Sequence, residues 1–139
     1  CTAADYPYTA RKSTCEKTCT GVVGVKEFCR MPITKGSETD DATWVSLINQ
    51  APITIGIAAS SSRFQMYSSG VLTGCNDKSH NHAVVITGYG EENGERYWKI
   101  RNSWGSSWGE KGYIRVSTSG QQCGTTASGR DIVVTEITQ

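Results

Sequence analysis

The stretch of the chain that decides the fold is residues 81–101, which read NHAVVITGYGEENGERYWKIR. Its first half is mostly small and β-branched apolar residues, and its second half carries aromatic and apolar residues between charged ones. Between the halves lies the pair Asn93-Gly94, which tolerates the positive φ angles that a tight hairpin turn requires. The stretch therefore predicts two antiparallel strands that are neighbours in a sheet.

Strand signals continue on both sides of this hairpin. Runs rich in β-branched and aromatic residues predict strands at 53–59, 83–89, 96–101, 112–116 and 131–135. The bulk of the chain is therefore expected to be β-sheet.

A helix is predicted at residues 40–50, because capping side chains at 37–41 precede an apolar pattern and Pro52 ends it. Residues 1–31 mix Pro, Gly, Thr, charged residues and four cysteines. Apart from a short apolar patch at 22–25, this region lacks periodicity, and it is interpreted as a disulfide-stapled loop plus a strand.

Length and charge limit the classes of protein to consider. The chain has 139 residues, enough for one domain with its own core, and no internal repeat marks a second one. The formal net charge is +1, so nucleic acid is not an expected partner. The longest apolar run, 53–59, is interrupted by Thr54 and Gly56 and is far too short to cross a bilayer, so no membrane association is expected either.

Six cysteines and the first residue suggest processing in an oxidising compartment. The cysteine spacings do not form paired C-x-x-C motifs, which favours disulfides over zinc. Cys15 and Cys19 could be half of a metal site, but no second pair lies nearby, and no metal is expected. The chain starts at Cys1 without a signal segment, which indicates a processed product or a fragment.

His82 is the first candidate for chemistry. It stands at the start of an apolar strand, where a rigid element could hold a general base, although a half-buried histidine with a structural role fits the same position. Residues 97–113 contain three tryptophans, which could equally form an aromatic extension of the core.

Four motifs in one order make the chain resemble the papain-like (cathepsin L-like) cysteine proteases. They are Asn81-His82-Ala83-Val84, Gly88-Tyr89-Gly90, Asn102-Ser103-Trp104-Gly105 and Trp108-Gly109-Glu110-Lys111-Gly112-Tyr113. Tyr6-Pro7-Tyr8, residues 50–59 and Phe64-Gln65-Met66-Tyr67 are also similar to the family. The resemblance implies an α+β papain-like fold in which residues 1–139 form the C-terminal portion, mainly an antiparallel β-sheet or barrel domain with short helices.

The resemblance implies catalytic roles for three residues. His82 would be the base paired with a cysteine thiolate, Asn102 would orient its imidazole, and Trp104 would shield that hydrogen bond from water. None of the six cysteines has the C-G-S-C-W-type neighbours of the family's nucleophile, and the upstream oxyanion-hole glutamine is also absent. The N-terminal helical portion of the peptidase is therefore the expected partner, and this chain alone is expected to be inactive.

The same resemblance implies substrate-binding residues. Gly56, His80, Asn81 and Ser128 match the wall and floor of the main specificity pocket, with Gly56 leaving the floor roomy, and Trp108 lies on the leaving-group side. On a regular strand His80 and His82 would share a face, as a pocket rim or as a two-histidine metal pair. At a pocket rim, a protonated His80 would favour acidic or neutral substrate side chains over basic ones.

The resemblance also implies a disulfide between Cys75 and Cys123. Cys15 matches a position whose usual partner lies in the absent segment, which implies an inter-chain bond. The pairing of Cys1, Cys19 and Cys29 stays open.

Three hypotheses about function follow. The first is a cysteine-type endopeptidase without a cofactor, acting on peptides or proteins in a lysosome, a vacuole or a secretion, with this chain supplying His82 and Asn102. The second is a non-catalytic, structural or binding protein that keeps the fold. The third is an exopeptidase or transferase with the same catalytic groups, which extra upstream segments would distinguish.

Overall fold

A computed structural model of the chain describes residue 9 and residues 11–14, 24–32, 41–126 and 131–138. Along 24–32 and 131–138 only the backbone is described. The predictions for Tyr6-Pro7-Tyr8, Cys1, Cys15, Cys19 and Ser128 lie outside the described residues, as does the side chain of Cys29.

One seven-stranded sheet organises the described chain. Its strands are β1 (Gly24–Pro32), β2 (Ile53–Ile57), β3 (Val71–Leu72), β4 (His82–Glu92), β5 (Glu95–Arg101), β6 (Tyr113–Ser117) and β7 (Asp131–Thr138). Their order across the sheet is β1-β7-β2-β4-β5-β6-β3. All neighbours are antiparallel except β3 and β6, which are parallel. The predicted α+β fold and its mainly antiparallel sheet are thus confirmed.

The central hairpin has the turn that its sequence predicts. Asn93 and Gly94 both have positive φ, of 53° and 80°, and Glu92 pairs with Glu95 directly across the turn. These angles match the twist of the flanking strands, which is why a two-residue loop can join them. The β4–β5 pairing then runs back to Val85 opposite Arg101, with one irregularity between Ile86 and Gly88.

The core lies on one face of the sheet and follows the alternation of the strands. Buried side chains from the strands include Ile53, Ile55, Ile57, Val84, Ile86, Trp98, Ile100, Ile114 and Val116. Helix α1 (Asp41–Ile48) covers part of this face by placing Trp44 against Trp98, with ring centroids 6.2 Å apart. Helix α2 (Ser62–Gln65) adds the fully buried Phe64.

The predicted elements and the observed ones agree in the central part of the chain. The helix predicted at 40–50 is α1, and the five predicted strands correspond to β2, β4, β5, β6 and β7. Helix α2, strand β3 and a 3-10 turn at Gln122–Gly124 were not predicted from the sequence. Within the described residues, neither helix has the length and apolar character that a bilayer crossing requires.

Strand β1 extends well beyond the apolar patch that predicted it. It covers Gly24–Pro32 and pairs with β7 from Gly24 opposite Thr138 to Pro32 opposite Asp131. The polar and charged residues of β1 have low strand propensity, and the strand forms because its backbone pairs with β7. The strand is therefore a product of long-range pairing.

An ion-paired network holds β6 to the segments around it. Arg115 binds Glu110 through two hydrogen bonds of 2.7 and 2.9 Å and binds Glu92 through a third of 2.9 Å. The same Glu110 carboxylate accepts the backbone N–H of Gly70 at 2.9 Å, and the Tyr67 hydroxyl donates to the Gly70 carbonyl at 2.6 Å. We call Arg115, Glu110, Glu92, Gly70 and Tyr67 the arginine clamp. It joins the hairpin turn, the segment before β3 and the loop at 102–112.

The ion pairs of the clamp shift the pKa values of Glu110 and Arg115 in the directions that keep both groups charged. Hydrogen bonds from Arg115 hold the pKa of Glu110 below its usual value of 4.5, against an opposing effect of partial burial. Hydrogen bonds to Glu110 and Glu92 raise the pKa of Arg115. Burial raises the pKa of Tyr67, so its hydroxyl stays a neutral donor.

The Glu110→Gln substitution is expected to destabilise the protein by about 1–3 kcal/mol at pH 7, because it removes a bidentate, charge-assisted pair. Since the pKa of Glu110 is lowered on folding, this stabilisation is fully present above about pH 4.5 and is lost as the pH falls through the lowered pKa. Urea unfolding at pH 7, 5 and 4 should show that the difference in the free energy of unfolding between variant and parent becomes smaller as the pH falls.

The matched control is Glu91→Gln, which changes an exposed carboxylate of the same hairpin that has no ion pair among the described residues. This substitution should change the free energy of unfolding by less than about 0.5 kcal/mol at each pH. Equal effects of the two substitutions would contradict a stabilising role for the clamp.

Candidate active site

The hairpin register brings His82 and Asn102 together. His82 is the first residue of β4, and Asn102 directly follows Arg101, the last residue of β5. Val85 pairs with Arg101, so Asn102 lies beside the first residues of β4 and on the same sheet face as His82. Two residues 20 positions apart in sequence thus meet at one end of two rigid strands.

A short hydrogen bond joins the two side chains. Nε2 of His82 lies 2.8 Å from Oδ1 of Asn102, and the same Oδ1 accepts the backbone N–H of Ser103 at 2.8 Å. A backbone N–H can only donate, so the second bond fixes which end of the amide faces His82. The proton of the neutral imidazole is therefore on Nε2, and Nδ1 is the nitrogen with basic character.

The backbone of Asn102 is held as firmly as its side chain. Its N–H donates to the carbonyl oxygen of Gly112 at 2.9 Å, which closes the loop at 102–112. Only 8% of the Asn102 surface is exposed. A buried amide that is hydrogen-bonded through both its side chain and its backbone can orient an imidazole without adding a charge.

Trp104 lies against the imidazole. The two ring centroids are 5.1 Å apart and the ring planes are inclined by 31°. Trp104 in turn contacts Phe64 and Trp108 edge-on, at centroid distances of 5.4 Å in both cases. The indole keeps 39% of its surface exposed, so it forms a wall between His82 and the solvent.

Helix α2 supports this aromatic wall from below. The Trp108 indole donates its N–H to the carbonyl oxygen of Gln65 at 3.0 Å, and its ring packs on Phe64 and Tyr67. The turn at Gly109 requires glycine, because a Cβ there would lie 2.5 Å from the carbonyl oxygen of Tyr113. Trp104 and Trp108 are thus fixed by contacts within this chain.

His80 does not share a face with His82, which corrects the expectation from a regular strand. Strand β4 begins only at His82, and the preceding Asn81 uses its side chain to accept the backbone N–H of Ala59 at 2.9 Å. The ring of His80 packs on Gly56, on the sheet face opposite to the buried Ile57 that pairs with His82. A two-histidine metal pair is therefore not formed.

The imidazole of His80 also fills the space that Gly56 was expected to leave open. A Cβ at Gly56 would lie 2.7 Å from Nδ1 of His80, and a Cβ at Gly124 would lie 2.5 Å from its Nε2. That Nε2 donates to the carbonyl oxygen of Gly124 at 2.7 Å. His80 is thus wedged between two glycines, and the roomy floor predicted from Gly56 is wrong for this reason.

The structure contains the disulfide between Cys75 and Cys123 that the resemblance implies. The bond ties the loop before β4 to the 3-10 turn, and the backbone N–H of Cys123 also donates to the carbonyl oxygen of Cys75 at 2.6 Å. Because Gly124 follows Cys123, the cross-link holds the carbonyl that receives the His80 hydrogen bond.

Sequence reasoning assigned no role to two of the residues gathered here. Phe64, which supports Trp104, belongs to a segment recognised only as similar to the family, and Gly124 carries no local signal beyond its place after a cysteine. Among the described residues, no group of three or more His, Cys, Asp or Glu side chains could hold a metal ion.

Comparisons with known proteins identify the family of the chain. Residues 1–130 match the family model described as papain family cysteine protease. The chain is 38% identical over 126 residues to cysteine proteinase 2 of Entamoeba histolytica, covering 87% of this chain and 38% of that protein. It is 40% identical over 118 residues to the probable cysteine protease RD21B of Arabidopsis thaliana, covering 84% of this chain and 24% of that protein. The chain therefore spans well under half the length of these relatives.

Solved structures show the same fold. The bromelain protease of Ananas comosus, in complex with the E64 inhibitor, superposes with a TM-score of 0.78 at 36% identity, over 96% of this chain and 60% of that one. The proform of the ragweed pollen allergen Amb a 11 gives a TM-score of 0.81 at 31% identity, over 99% of this chain and 41% of that one. Together with the family match over nearly the whole length, these similarities show that the chain belongs to the papain family of cysteine proteases.

Proposed function

We propose that this chain supplies the histidine and asparagine of a cysteine-type endopeptidase. The observation that carries the proposal is the 2.8 Å hydrogen bond from His82 to Asn102, which leaves Nδ1 of the imidazole available for proton transfer. The relatives are named as cysteine proteases and are longer than this chain, so the thiolate would come from polypeptide outside it.

The proposed chemistry needs a thiolate beside His82. A free thiol has a pKa near 8.5 and is mostly protonated at neutral pH, whereas a neighbouring imidazolium stabilises the thiolate. The thiolate attacks the peptide carbonyl, and the resulting tetrahedral intermediate collapses as His82 gives its Nδ1 proton to the departing amine. His82 then takes a proton from water, which attacks the thioester, releases the acid and restores the thiolate beside the imidazolium.

Two neighbours would keep His82 ready for both steps. Asn102 orients the ring in its neutral and charged forms because an amide oxygen accepts the Nε2 proton in either state. The indole of Trp104, 5.1 Å from the imidazole, limits access of water to that hydrogen bond. Trp108 would extend this aromatic surface beneath the leaving-group side of the substrate.

The other side of the site would select the substrate side chain. We assign Gly56, His80 and Asn81 to its wall, with Ser128 as a further member. The imidazole wedged against Gly56 makes this pocket shallower than glycine alone would allow. In acid solution a protonated His80 would repel a basic side chain, so acidic or neutral side chains are the proposed preference.

The proposed setting is an oxidising compartment such as a vacuole, a lysosome or a secretion. The Cys75–Cys123 disulfide supports such a setting because disulfides persist there. A relative from Homarus americanus is named a digestive cysteine proteinase and one from Arabidopsis thaliana a KDEL-tailed cysteine endopeptidase. The N-terminal portion of the peptidase and peptide or protein substrates are the proposed partners.

Material purified with this chain is expected to react with an electrophilic epoxide that captures active cysteine proteases. Intact mass before and after reduction should show the label on polypeptide additional to the 15.1 kDa of this chain. Unlabelled material of that mass alone would favour a non-catalytic protein with the same fold.

In the labelling-competent protein, His82→Ala should lower kcat by a factor of about 10²–10⁴, since it removes the general acid and base. Asn102→Ala should lower kcat by a smaller factor, because His82 can still transfer protons although its ring is no longer held in one orientation. The control is Asn76→Ala, an exposed amide in the loop after Cys75, which should retain parental kcat. Full activity of the His82 variant would overturn the assignment.

Gly56→Ala is expected to destabilise the protein by about 1–3 kcal/mol, because its Cβ would overlap the ring of His80. Gly88→Ala is the matched control: it is also a strand glycine, and a Cβ there meets no described atom within 4 Å. Thermal unfolding should show Gly88→Ala unchanged or slightly more stable. A second substitution, His80→Ala, should relieve the Gly56→Ala defect; failure to do so would show that the two residues do not compete for one space.

Cleavage of a peptide library at pH 5 should disfavour basic side chains in the pocket beside His80. The His80→Ala variant should lose most of this discrimination, and it should also accept bulkier apolar side chains because the ring is removed. A preference of the parent enzyme for arginine in this pocket at acid pH would rule out the proposed role of His80.

A further inference from the structure

The imidazole of His80 lies between two walls of backbone. One wall is strand β2 at Gly56, and the other is the turn at residues 120–124, which ends at Gly124. A Cβ at Gly56 would lie 2.7 Å from Nδ1 of the ring, and a Cβ at Gly124 would lie 2.5 Å from Nε2. Both distances are shorter than a van der Waals contact, so the space between the walls holds one imidazole and no additional carbon atom.

A backbone hydrogen bond fixes the two walls to each other. The N–H of Ala58, which lies two residues after Gly56, donates to the carbonyl oxygen of Cys123 at 2.9 Å. Ala58 and Cys123 are both fully buried, so water does not compete for this bond. Because Gly124 directly follows Cys123, the width of the space beside Gly56 is set by the backbone and not by the ring that fills it.

The turn at residues 120–124 has a conformation that its neighbours must hold. Four of its residues have positive φ, namely Gly120 at 72°, Gln121 at 53°, Cys123 at 50° and Gly124 at 71°. Two of these are not glycine, and such residues keep a left-handed conformation only where surrounding contacts enforce it. The disulfide to Cys75 and the 2.6 Å hydrogen bond from the Cys123 N–H to the Cys75 carbonyl oxygen supply those contacts.

Gly124 fixes the tautomer of His80 as well as its place. Nε2 of His80 lies 2.7 Å from the carbonyl oxygen of Gly124, and a carbonyl oxygen can only accept. The proton of the neutral ring is therefore on Nε2. His80 precedes β4, which begins at His82, so the pairing of that strand does not extend to it. The turn provides the support that the strand does not.

We infer that Gly124 is a positioning residue that sets the size of the substrate pocket through His80. The inference rests on the proposed function, in which His80 forms part of the wall that meets the substrate side chain. An alanine at position 124 takes the space of the ring, and Gly56 blocks movement to the other side. The imidazole then has to turn outwards into the pocket, where it occupies volume that a bulky substrate side chain needs.

The test compares four forms of the full-length enzyme that carries this chain: the parent, Gly124→Ala, His80→Ala and the double variant. Two peptides are used, which differ only in the side chain that enters the pocket beside His80, one small and one bulky and apolar. Gly124→Ala should raise the KM of the bulky peptide about tenfold relative to the KM of the small one. The effect on kcat should be smaller, because the substitution does not touch His82.

The double variant shows whether Gly124 acts through the ring. In the His80→Ala background, the Gly124→Ala substitution should leave the ratio of the two KM values unchanged, because the imidazole that it displaces is gone. A change of the ratio that persists without His80 would overturn the inference.

Gly120→Ala is the matched control, because Gly120 has almost the same φ as Gly124 and an alanine is strained at both positions. At Gly120 an added Cβ meets only the side-chain Nε2 of Gln122, at 3.4 Å. Gly120→Ala should therefore lower thermal stability without changing the KM ratio. Equal changes of that ratio in both alanine variants would show that strain in the turn, and not contact with His80, is the cause.

A second measurement does not depend on cleavage, and it decides the question if Gly124→Ala does not fold. In the ¹⁵N-labelled full-length protein, the Nε2 proton of His80 should give a signal that exchanges slowly with water and is absent from His80→Ala. Gly120→Ala should keep this signal, and folded Gly124→Ala should lose it. A parent protein without the signal contradicts the positioning by Gly124, whereas an inactive parent that has the signal contradicts the proposed function alone.

Discussion

The antiparallel register between β4 and β5 is the constraint on which the rest of the site depends. Val85 lies opposite Arg101, and this single relation fixes where β4 begins and where β5 ends. Because side chains alternate along a strand, a shift of one residue would move Asn102 to the outer face and separate it from His82. The tight turn at Asn93-Gly94 sets the register next to the turn, and the irregularity between Ile86 and Gly88 shifts it by one residue before Val85 meets Arg101. The turn and this irregularity together place Asn102 on the face of His82.

One loop, residues 102–112, serves both faces of the sheet. Towards the inside it carries Asn102 and the two tryptophans that surround the imidazole, and towards the outside it carries Lys111. Its ends are joined by the hydrogen bond between Asn102 and Gly112, and the arginine clamp holds its base through Glu110. The two faces of the sheet therefore share one short segment of backbone that is hydrogen-bonded at both ends.

Much of this fold could be predicted from residue patterns. The buried isoleucines of β2 and the alternation of Trp98 and Ile100 with charged neighbours are local signals, and so is the turn at Asn93-Gly94. Helix α2 and the two-residue β3 carry no such signal, because tertiary contacts of Phe64 and Tyr67 form them. His80 was placed on the wrong face because strand regularity was assumed through Asn81, whose side chain instead bonds to Ala59. The hydrogen bond between His80 and Gly124 joins residues 44 positions apart, so no local sequence pattern could predict it.

The edge of the sheet has a consequence for how the chain holds together as it folds. Within the part of the chain that the structure describes, strand β1 pairs only with β7, and β7 pairs with β2 at two positions, Ile53 with Val134 and Thr54 with Val133. The hairpin that carries His82 and Asn102 is local and can form early, whereas the β1–β7 pairing must close a loop of nearly the whole chain. Loss of β7 would therefore also release β1, whereas the hairpin of β4 and β5 would keep its pairing with β2 and β6.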